Sequence, residues 1–357
     1  MSKITRITVR GYKSIRALEA FELRDLNVLI GANGAGKSNF ISLFRLLTAV
    51  SERRLQLYVQ KQGGPDALLH RGRKHTEHME YLVELDKYGY FAQLEATADN
   101  RLIFSDERIV AGSVNRRLGV GHAETGIKRA SSSTGIQLVN KSIIDSRVFH
   151  FHDTSDNARI KQIHHTHINL RLLHDAANLA AFLLRLRKDY PDFYLRIVET
   201  IRLAAPFFGD FVHREPVGES TQLEWTEYND PDTPLKAHML SDGTLRFICL
   251  TTLLLQPTEL LPDTILIDEP ELGLHPYAIA LLADMLREVS ENTQLIISTQ
   301  SVELLNHFNA EDVIVVDRIN DESVFRRLDT ESLHDWLQDY SLGELWKQNV
   351  LGGRPSR

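Results

Sequence analysis

Residues 31–38 form a phosphate-binding loop, and this loop constrains the fold more than any other segment of the chain. They read Gly-Ala-Asn-Gly-Ala-Gly-Lys-Ser, which matches the P-loop pattern in full. The apolar segment 26–30 precedes the loop, and the segment 40–47 that follows has apolar residues at helical spacing. This strand–loop–helix order predicts an α/β protein with a site for ATP or GTP.

Each residue type in the loop serves a polyphosphate ligand. Gly34 and Gly36 permit positive φ angles and close approach, so that consecutive backbone N–H groups can surround phosphate oxygens. Lys37 supplies a charge for the β- and γ-phosphates, and the Ser38 hydroxyl is a ligand for Mg²⁺. The predicted nucleotide-binding residues are Asn33, Gly34, Ala35, Gly36, Lys37, Ser38 and Asn39.

Length, charge and cysteine content exclude several classes of protein. The 357 residues exceed the usual size of one core, which predicts two lobes or one large domain with an insertion. The net charge of −7 argues against a nucleic-acid binder that is basic over its whole surface, although a local basic face is compatible with it. The single Cys249 excludes a disulfide framework. No apolar stretch approaches the ~20 residues that span a bilayer, and no signal-peptide pattern is present, so we expect a cytoplasmic protein.

An acidic motif follows the apolar strand predicted at residues 264–268. Asp268 ends this strand, where its carboxylate can ligate Mg²⁺, and the adjacent Glu269 can orient or deprotonate a water molecule. Upstream, the segment 240–244 reads Leu-Ser-Asp-Gly-Thr and precedes a predicted helix. On its own this segment indicates an N-capped helix start.

These motifs occur in the order found in ABC-type ATPases. With the segment 268–276 (Asp-Glu-Pro-Glu-Leu-Gly-Leu-His-Pro), the chain resembles their RecF/SMC-like branch. More narrowly, it resembles the stand-alone prokaryotic AAA-like ATPases that accompany anti-phage or toxin–antitoxin partner genes. The segments 10–15 and 340–346 extend this resemblance over nearly the whole chain. It implies an α/β fold, an ABC-type P-loop NTPase head with an antiparallel β-lobe and a helical insertion.

The resemblance also implies three parts of the chain. Residues 1–150 form an N-terminal ATPase lobe with the P-loop and the β-lobe, and residues 151–240 form the helical insertion with connecting strands. Residues 241–357 form a C-terminal ATPase lobe with the signature loop, the acidic strand, the D-loop and the switch region. Within the first part, residues 111–135 have the composition of a loop. Within the second, apolar residues at 3–4 spacing predict a helix from Asn169.

By the same resemblance, further residues take part in nucleotide binding. Ser241 and Gly243 belong to a signature loop that grips the γ-phosphate held by a second subunit, and the segment 272–275 is the D-loop at the dimer interface. Lys13 lies where related heads contact the nucleotide from their first β-hairpin, although an exposed turn explains this position nearly as well. The implied cofactors are ATP and Mg²⁺.

Two positions depart from the family pattern. Where ABC-type ATPases usually have a switch histidine, this chain has Gln300, which can hydrogen-bond a γ-phosphate or a water but cannot take up a proton near neutral pH. Catalysis would then depend on Glu269 and on positioning by Gln300, and turnover should be slow. No unambiguous Q-loop is present. At the corresponding junction, His152 and Asp153 are candidate γ-phosphate sensors, and an ordinary strand end with a helix-capping side chain is the alternative.

Histidines and basic residues give weaker signals. The histidines at 150, 152, 164, 165 and 167 suggest a metal site, but no cysteine or carboxylate lies at a recognisable ligand spacing. The β-lobe region is locally basic, which indicates either a solvated surface or a contact with DNA, RNA or an acidic protein. Its basic residues are Arg101, Arg108, Arg116, Arg117, Lys128, Arg129, Lys141 and Arg147.

Two functions are compatible with these features. The first is an ATP-hydrolysing molecular switch that dimerises through an ATP sandwich and controls an effector protein, a nuclease or toxin from a neighbouring gene, in anti-phage defence. The second is a DNA-repair or DNA-organising ATPase that clamps nucleic acid. The acidic net charge and the lack of a long heptad run favour the first. A small-molecule kinase is excluded because it has no use for the signature loop.

Overall fold

The computed structural model describes residues 3–112, 114–127, 134–214 and 219–353. Its strands are β1 (Arg6–Tyr12), β2 (Ile15–Glu22), β3 (Leu26–Ile30), β4 (His78–Glu84), β5 (Gly89–Ala96), β6 (Leu102–Ala111), β7 (Val114–Gly119), β8 (Ser146–Phe149), β9 (His164–His165), β10 (Phe208–Phe211), β11 (Ser220–Thr221), β12 (Glu224–Glu227), β13 (Asp230–Lys236), β14 (Thr264–Asp268), β15 (Gln294–Ser298), β16 (Val313–Ile319) and β17 (Glu322–Arg327). Its helices are α1 (Lys37–Ser51), α2 (Leu55–Lys61), α3 (Thr134–Ile144), α4 (Leu179–Asp189), α5 (Pro191–Ala204), α6 (Asp242–Leu254), α7 (Pro276–Ser290), α8 (Val302–Leu305), α9 (Thr330–Asp339) and α10 (Leu342–Lys347).

A mostly parallel sheet contains the strand that precedes the P-loop. Its order is β17-β16-β3-β15-β14-β8, and only the edge strand β17 pairs antiparallel with its neighbour. Strands β3 and β15 are buried over their whole length, as expected for parallel strands covered on both faces. Because β3 lies between β15 and β16, strands from far along the chain flank the P-loop strand on both sides.

The second large sheet is antiparallel and confirms the predicted β-lobe. Its order is β2-β1-β4-β5-β6-β7, so it also contains the N-terminal hairpin. The prediction of a loop over residues 111–135 is wrong in part, because β7 pairs with the edge of β6 and α3 begins at Thr134. The glycines that suggested a loop include Gly112 and Gly119, which lie just before β7 and at its last residue. Gly112 permits a turn before β7, and Gly119 pairs with Glu107 beyond an irregularity in the β6–β7 ladder.

Helix α1 lies between the two sheets and joins their cores. Phe40 and Leu43 of this helix are fully buried in a cluster with side chains of β1, β4 and β5. Leu266 and Ile296, on one face of the parallel sheet, belong to the same cluster. The opposite face of that sheet packs against α4, α5, α6 and α7. The P-loop at the start of α1 is therefore supported from both sheets.

The helix predicted from Asn169 begins later, at Leu179. Residues 168–178 are irregular because the Asn178 side chain is hydrogen-bonded to the backbone of this segment. Its Nδ2 donates to two upstream carbonyl groups at 2.8 and 2.9 Å, and its Oδ1 accepts from the Leu173 N–H at 2.9 Å. Asparagine side chains compete with helical hydrogen bonds in this way, so the apolar spacing alone placed the helix start too early.

The described residues leave out part of the segment between β7 and α3. Lys128, Arg129 and the serines at 131–133 lie outside the described residues. At the C-terminus, Leu342 and Leu345 of α10 are buried against the main core, whereas Trp336 is 46% exposed. Within the described ranges, no helix combines the length and the apolar character that crossing a bilayer requires.

Candidate nucleotide site

The carboxyl ends of β3, β14 and β15 bring the predicted site residues to one edge of the parallel sheet. Strand β3 leads into the P-loop, β14 ends at Asp268, and β15 ends two residues before Gln300. The strand register places Ser298 of β15 opposite Asp268 on one side and Leu29 on the other. Open α/β sheets bind ligands at this edge.

The backbone of the P-loop leaves no space for side chains at two of its glycines. A Cβ atom at Gly36 would collide with the Ser323 hydroxyl, and one at Gly31 would collide with the Val316 carbonyl oxygen. Both glycines also have positive φ angles, 119° and 153°. Helix α1 begins at Lys37 without a side-chain cap. Its first N–H groups are thus not used by a capping side chain, which suits an anion at the helix N-terminus.

The remaining loop residues divide into a buried and an exposed set. Ala35 is buried, and its carbonyl accepts a hydrogen bond from Ser323 Oγ of β17 at 2.5 Å. Asn33 and Gly34 are exposed at the tip of the loop, and the Gly34 carbonyl accepts from Arg318 Nη1 at 3.2 Å. The sequence did not single out Ser323 or Arg318, because only the sheet order brings β16 and β17 beside the P-loop.

The Lys37 side chain is folded back onto its own loop. Its Nζ donates to the carbonyl oxygens of Gly31 at 2.6 Å and Ala32 at 3.2 Å. Burial lowers the pKa of the Lys37 ammonium, and the neighbouring carboxylates of Glu269 and Asp268 oppose that shift. These hydrogen bonds keep the Lys37 ammonium at the loop, where the oxygens of a bound phosphate can replace the two carbonyl oxygens as its acceptors.

Ser38 and Asp268 lie in direct contact, as a shared Mg²⁺ site requires. Ser38 Oγ donates to Asp268 Oδ2 at 3.0 Å, and the Ser298 hydroxyl donates to the other carboxylate oxygen. A hydroxyl and a carboxylate are oxygen donors of the kind that Mg²⁺ prefers. The two residues therefore fit a magnesium ion at the end of β14.

Glu269 and Gln300 face each other across the same edge. Gln300 Nε2 donates to the Glu269 carboxylate, and the Glu269 N–H donates to the Ser298 carbonyl at 2.8 Å. Glu269 has a φ of 46°, which is unusual for a residue with a side chain. Such strain costs of order 1–3 kcal/mol and is concentrated at functional sites.

Glu271 is a buried carboxyl group beneath the switch segment, and sequence reasoning did not assign it a role. Its Oε1 accepts from Thr299 Oγ1 at 2.6 Å and from the Gln300 N–H at 3.3 Å. Burial raises the pKa of Glu271, and the hydrogen bond from Thr299 opposes the shift. Glu271 thus fixes the backbone that carries Gln300. Its position two residues after Glu269, in the segment Asp-Glu-Pro-Glu, was the available signal.

The N-terminal hairpin contacts the start of α1. Asn39 Nδ2 donates to Ser14 Oγ at 2.7 Å, and Lys13 Nζ donates to Ser42 Oγ at 3.0 Å. Lys13 has a positive φ of 48°, and partial burial lowers its pKa, with the charge of Arg45 acting in the same direction. Lys13 therefore lies beside the helix that follows the P-loop, turned toward Ser42.

The predicted signature loop contacts the predicted D-loop of the same chain. Ser241 caps α6 by accepting from the Thr244 N–H at 3.2 Å. A Cβ atom at Gly243 would collide with the Gly273 carbonyl oxygen, so the two loops approach each other closely. Arg246 of α6 donates to the Leu272 carbonyl at 2.9 Å.

Arg246 also connects these loops to the junction after β8. Its Nη2 donates to the His152 carbonyl at 3.0 Å, and His152 Nε2 lies 2.7 Å from the Asp268 carbonyl oxygen. Asp153 is exposed, and its carboxylate accepts from Ser155 Oγ at 2.7 Å, which lowers its pKa. His152 thus reaches the end of β14, whereas Asp153 is engaged in a local turn.

Comparisons with known proteins agree with this geometry. The family model described as "AAA domain, putative AbiEii toxin, Type IV TA system" matches residues 26–306. No curated protein matches the sequence significantly. Among solved structures, a crystal structure of the SMC head bound to the C-terminal winged-helix domain of ScpA is similar, with a TM-score of 0.61 and 14% identity over 93% of this chain and 99% of that one. An SMC head with an extended coiled coil from Pyrococcus furiosus, bound to the C-terminal domain of ScpA, gives a TM-score of 0.59 and 15% identity over 95% and 99%. These likenesses confirm the expected fold, a P-loop ATPase head of the ABC type.

Proposed function

The chain belongs to this AAA domain family, and on that premise we propose that it is an ATP-binding and ATP-hydrolysing molecular switch that regulates a partner effector. One observation carries the proposal. Ser38 contacts Asp268 at 3.0 Å while Gln300 contacts Glu269, so the phosphate loop, the acidic strand end and the switch segment meet at one edge. The two residues of each pair are distant in the sequence, and hydrolysis of a polyphosphate needs both pairs.

The residues take distinct roles in the proposed reaction. Backbone N–H groups of residues 33–39 and the Lys37 ammonium bind the phosphates of ATP. Ser38 and Asp268 would hold Mg²⁺, which neutralises charge on the phosphates. Glu269 orients and deprotonates the attacking water, and the Gln300 amide positions that water or the γ-phosphate. Because an amide does not titrate, the base function falls on Glu269 alone, and we expect slow turnover.

Dimerisation on ATP is the second element of the proposal. Ser241 and Gly243 lie at the start of α6, where backbone N–H groups and the helix dipole favour an anion. Their contacts within the chain are with Thr244 and Gly273. We propose that they complete the nucleotide site of a second copy, as the signature loops of ABC-type ATPases do.

We propose that the partner is a nuclease or toxin encoded beside this chain, in anti-phage defence. The family description connects AAA domains of this kind with a type IV TA system. The alternative is an ATPase that clamps nucleic acid through the basic β-lobe region. Of the six basic residues noted there that the structure describes, five are paired with carboxylates, which reduces the local positive charge. They are Arg101, Arg108, Arg117, Lys141 and Arg147.

Two substitutions test ATP binding and hydrolysis. Lys37→Ala should abolish ATP binding because it removes the buried cation from the loop. Glu269→Gln should keep binding and slow hydrolysis by about 10²–10⁴-fold, because the carboxylate acts only when water attacks. Equilibrium ATP binding and steady-state turnover measure the two effects, with the exposed Lys188→Ala as the control. Normal hydrolysis by Glu269→Gln would refute the assignment of Glu269.

Light scattering tests the dimer. Glu269→Gln should be a dimer with ATP and a monomer without it, and adding Ser241→Arg should abolish dimerisation without changing ATP affinity in the monomer. Ser332→Arg, on the exposed face of α9, is the matched control. A monomer at micromolar concentration in the presence of ATP counts against the sandwich, as does full turnover in the single variant Ser241→Arg.

A further inference from the structure

A two-stranded ribbon outside the nucleotide site brings two histidines next to a glutamate. Strand β9 pairs antiparallel with β11, so that His165 lies opposite Ser220. The Thr166 N–H extends this pairing by donating to the Glu219 carbonyl at 2.8 Å. His167 lies in the turn that follows β9, where the Ile168 N–H donates to the His165 carbonyl at 3.3 Å, and its ring lies beside that of His165. The pairing therefore brings the Glu219 carboxylate next to these histidines, for which the sequence alone indicated no carboxylate partner.

The three side chains converge closely enough to share an ion. One ligand atom from each of His165, His167 and Glu219 lies within 4.8 Å of the others. The two imidazole rings are stacked, with their centroids 5.2 Å apart. The neighbouring His164 has a different environment, because its Nε2 lies 2.6 Å from the Arg159 carbonyl oxygen.

The ligand atoms of this cluster are available for binding. Among the described residues, the side chains of His165, His167 and Glu219 have no hydrogen bond or ion pair, and the contact between the two rings leaves their nitrogen lone pairs unused. Nearby carboxylates are paired differently, since Glu224 contacts Arg214 at 2.6 Å. A carboxylate beside two imidazoles, with none of the three side chains otherwise engaged, offers a ligand set for a metal ion.

We propose that His165, His167 and Glu219 bind a Zn²⁺ ion. Imidazole nitrogens together with one carboxylate oxygen suit zinc, whereas Mg²⁺ and Ca²⁺ prefer oxygen ligands throughout. Zinc–ligand distances of about 2.0–2.2 Å place tetrahedral ligands about 3.3–3.6 Å apart. From separations of up to 4.8 Å, the ligand atoms need to approach one another by at most about 1.5 Å, which rotation of exposed side chains supplies. Because all three are exposed, water completes the coordination.

The position of the ribbon gives the ion a structural consequence. Gln222 Nε2 donates to the Lys161 carbonyl at 2.9 Å, which ties the ribbon to the turn at Arg159–Lys161. That turn contacts the turn at Ala237–Met239, which immediately precedes the loop containing Ser241. A bound zinc ion would cross-link the segment that contains β9 with the segment that contains β11, which pair through strands of two residues each. The site does not depend on the proposed ATPase function.

Cobalt binding tests the proposal on the full chain without nucleotide and without a polyhistidine tag. Titration with Co²⁺ should saturate at one equivalent with a visible d–d absorption band, and stoichiometric Zn²⁺ should displace it. His165→Ala, His167→Ala and Glu219→Gln should each weaken Zn²⁺ binding at least about tenfold, because each removes a direct ligand and even outer-shell changes cost that much. The ribbon is exposed, so the metal-free variants should keep the wild-type melting temperature.

Two control variants separate this site from others. His164→Ala removes an adjacent imidazole that is directed elsewhere, and Asp268→Asn removes the carboxylate of the magnesium site. Both should retain the cobalt band and its displacement by zinc. The proposal is overturned if one equivalent of Co²⁺ gives no band, if the band survives loss of both His165 and His167, or if Asp268→Asn abolishes it.

Discussion

At the scale of single residues, the role proposed for Gln300 is to position water without taking up a proton. Its amide donates to the Glu269 carboxylate, and it cannot titrate. Gln300→Ala should lower turnover about tenfold or more and leave ATP affinity within a few fold, because the contact matters once water is bound. The wild-type rate should show no step near pH 6–7 from this position, whereas Gln300→His should introduce one. Unchanged turnover in Gln300→Ala would show that the water is positioned elsewhere.

His213 predicts a loss of stability in acid. Its Nε2 lies 3.1 Å from the Tyr194 hydroxyl, and burial, followed by the charge of Arg187, lowers its pKa to about 4. Between that value and the ordinary pKa of ~6.5, the unfolded chain binds a proton that the folded chain does not. The stability contributed by neutral His213 is therefore complete above about pH 6.5 and is lost as the pH falls toward 4.

Thermal unfolding between pH 7 and 4.5 tests this residue. His213→Gln should lose less stability on acidification than the wild type, because no proton is then taken up at this position. The exposed His334→Gln, on α9, should retain the wild-type acid dependence. An unchanged slope in His213→Gln would mean that other groups govern the acid sensitivity.

At the scale of elements, Arg246 joins α6, the segment around Leu272 and the junction at His152 through backbone carbonyls. Arg246→Gln should reduce ATP-driven dimerisation and turnover while monomeric ATP binding persists, because the P-loop is not touched. Loss of charge-assisted hydrogen bonds of this kind costs about 1.5–3 kcal/mol each, so the melting temperature should also fall. The surface arginine Arg196, paired with Glu288, supplies the control Arg196→Gln. Wild-type dimerisation by Arg246→Gln would contradict the coupling.

For the elements, the sequence predicts motifs that lie within one segment and misses contacts between segments that the fold brings together. The P-loop, Asp268 and Glu269 follow from contiguous motifs that need only a strand, a turn and a helix. The position of Glu271 two residues after Glu269 was a signal, but its contact with the Gln300 N–H depends on the pairing that sets the end of β15 beside the end of β14. The segment 168–178 was misassigned for a related reason, since one asparagine side chain outweighs the apolar spacing.

By contrast, the second helix of the insertion lies close to its predicted bounds. The sequence also predicts a second helix over about Phe193–Ala205, before Pro206, and α5 runs from Pro191 to Ala204. Pro191 lies in the first turn, where a backbone N–H has no partner within the helix, so the N–H that proline lacks costs no hydrogen bond. Local rules therefore place a helix well when no tertiary contact competes with them.

At the scale of the whole molecule, the net charge and the length of the helices support the proposed molecular switch over the alternative, an ATPase that clamps nucleic acid. The chain carries a net charge of −7, and the longest described helices, α1 and α7, have 15 residues each. We expect no binding of duplex DNA at physiological salt and no stimulation of turnover by DNA. Fluorescence anisotropy at several salt concentrations measures this. Tight binding that weakens steeply with salt would favour the clamp, because phosphate contacts release counterions.

The order of strands in the parallel sheet has a consequence for synthesis on the ribosome. Strand β3 emerges early, but its neighbours β15 and β16 begin at residues 294 and 313. At ordinary rates of elongation the ribosome needs roughly 10–60 s to make the residues between β3 and β15. During that time β3 has neither of its neighbours in the parallel sheet, and Asp268 and Gln300 do not yet face the P-loop. We therefore expect the proposed nucleotide site to be complete only when nearly the whole chain has been made.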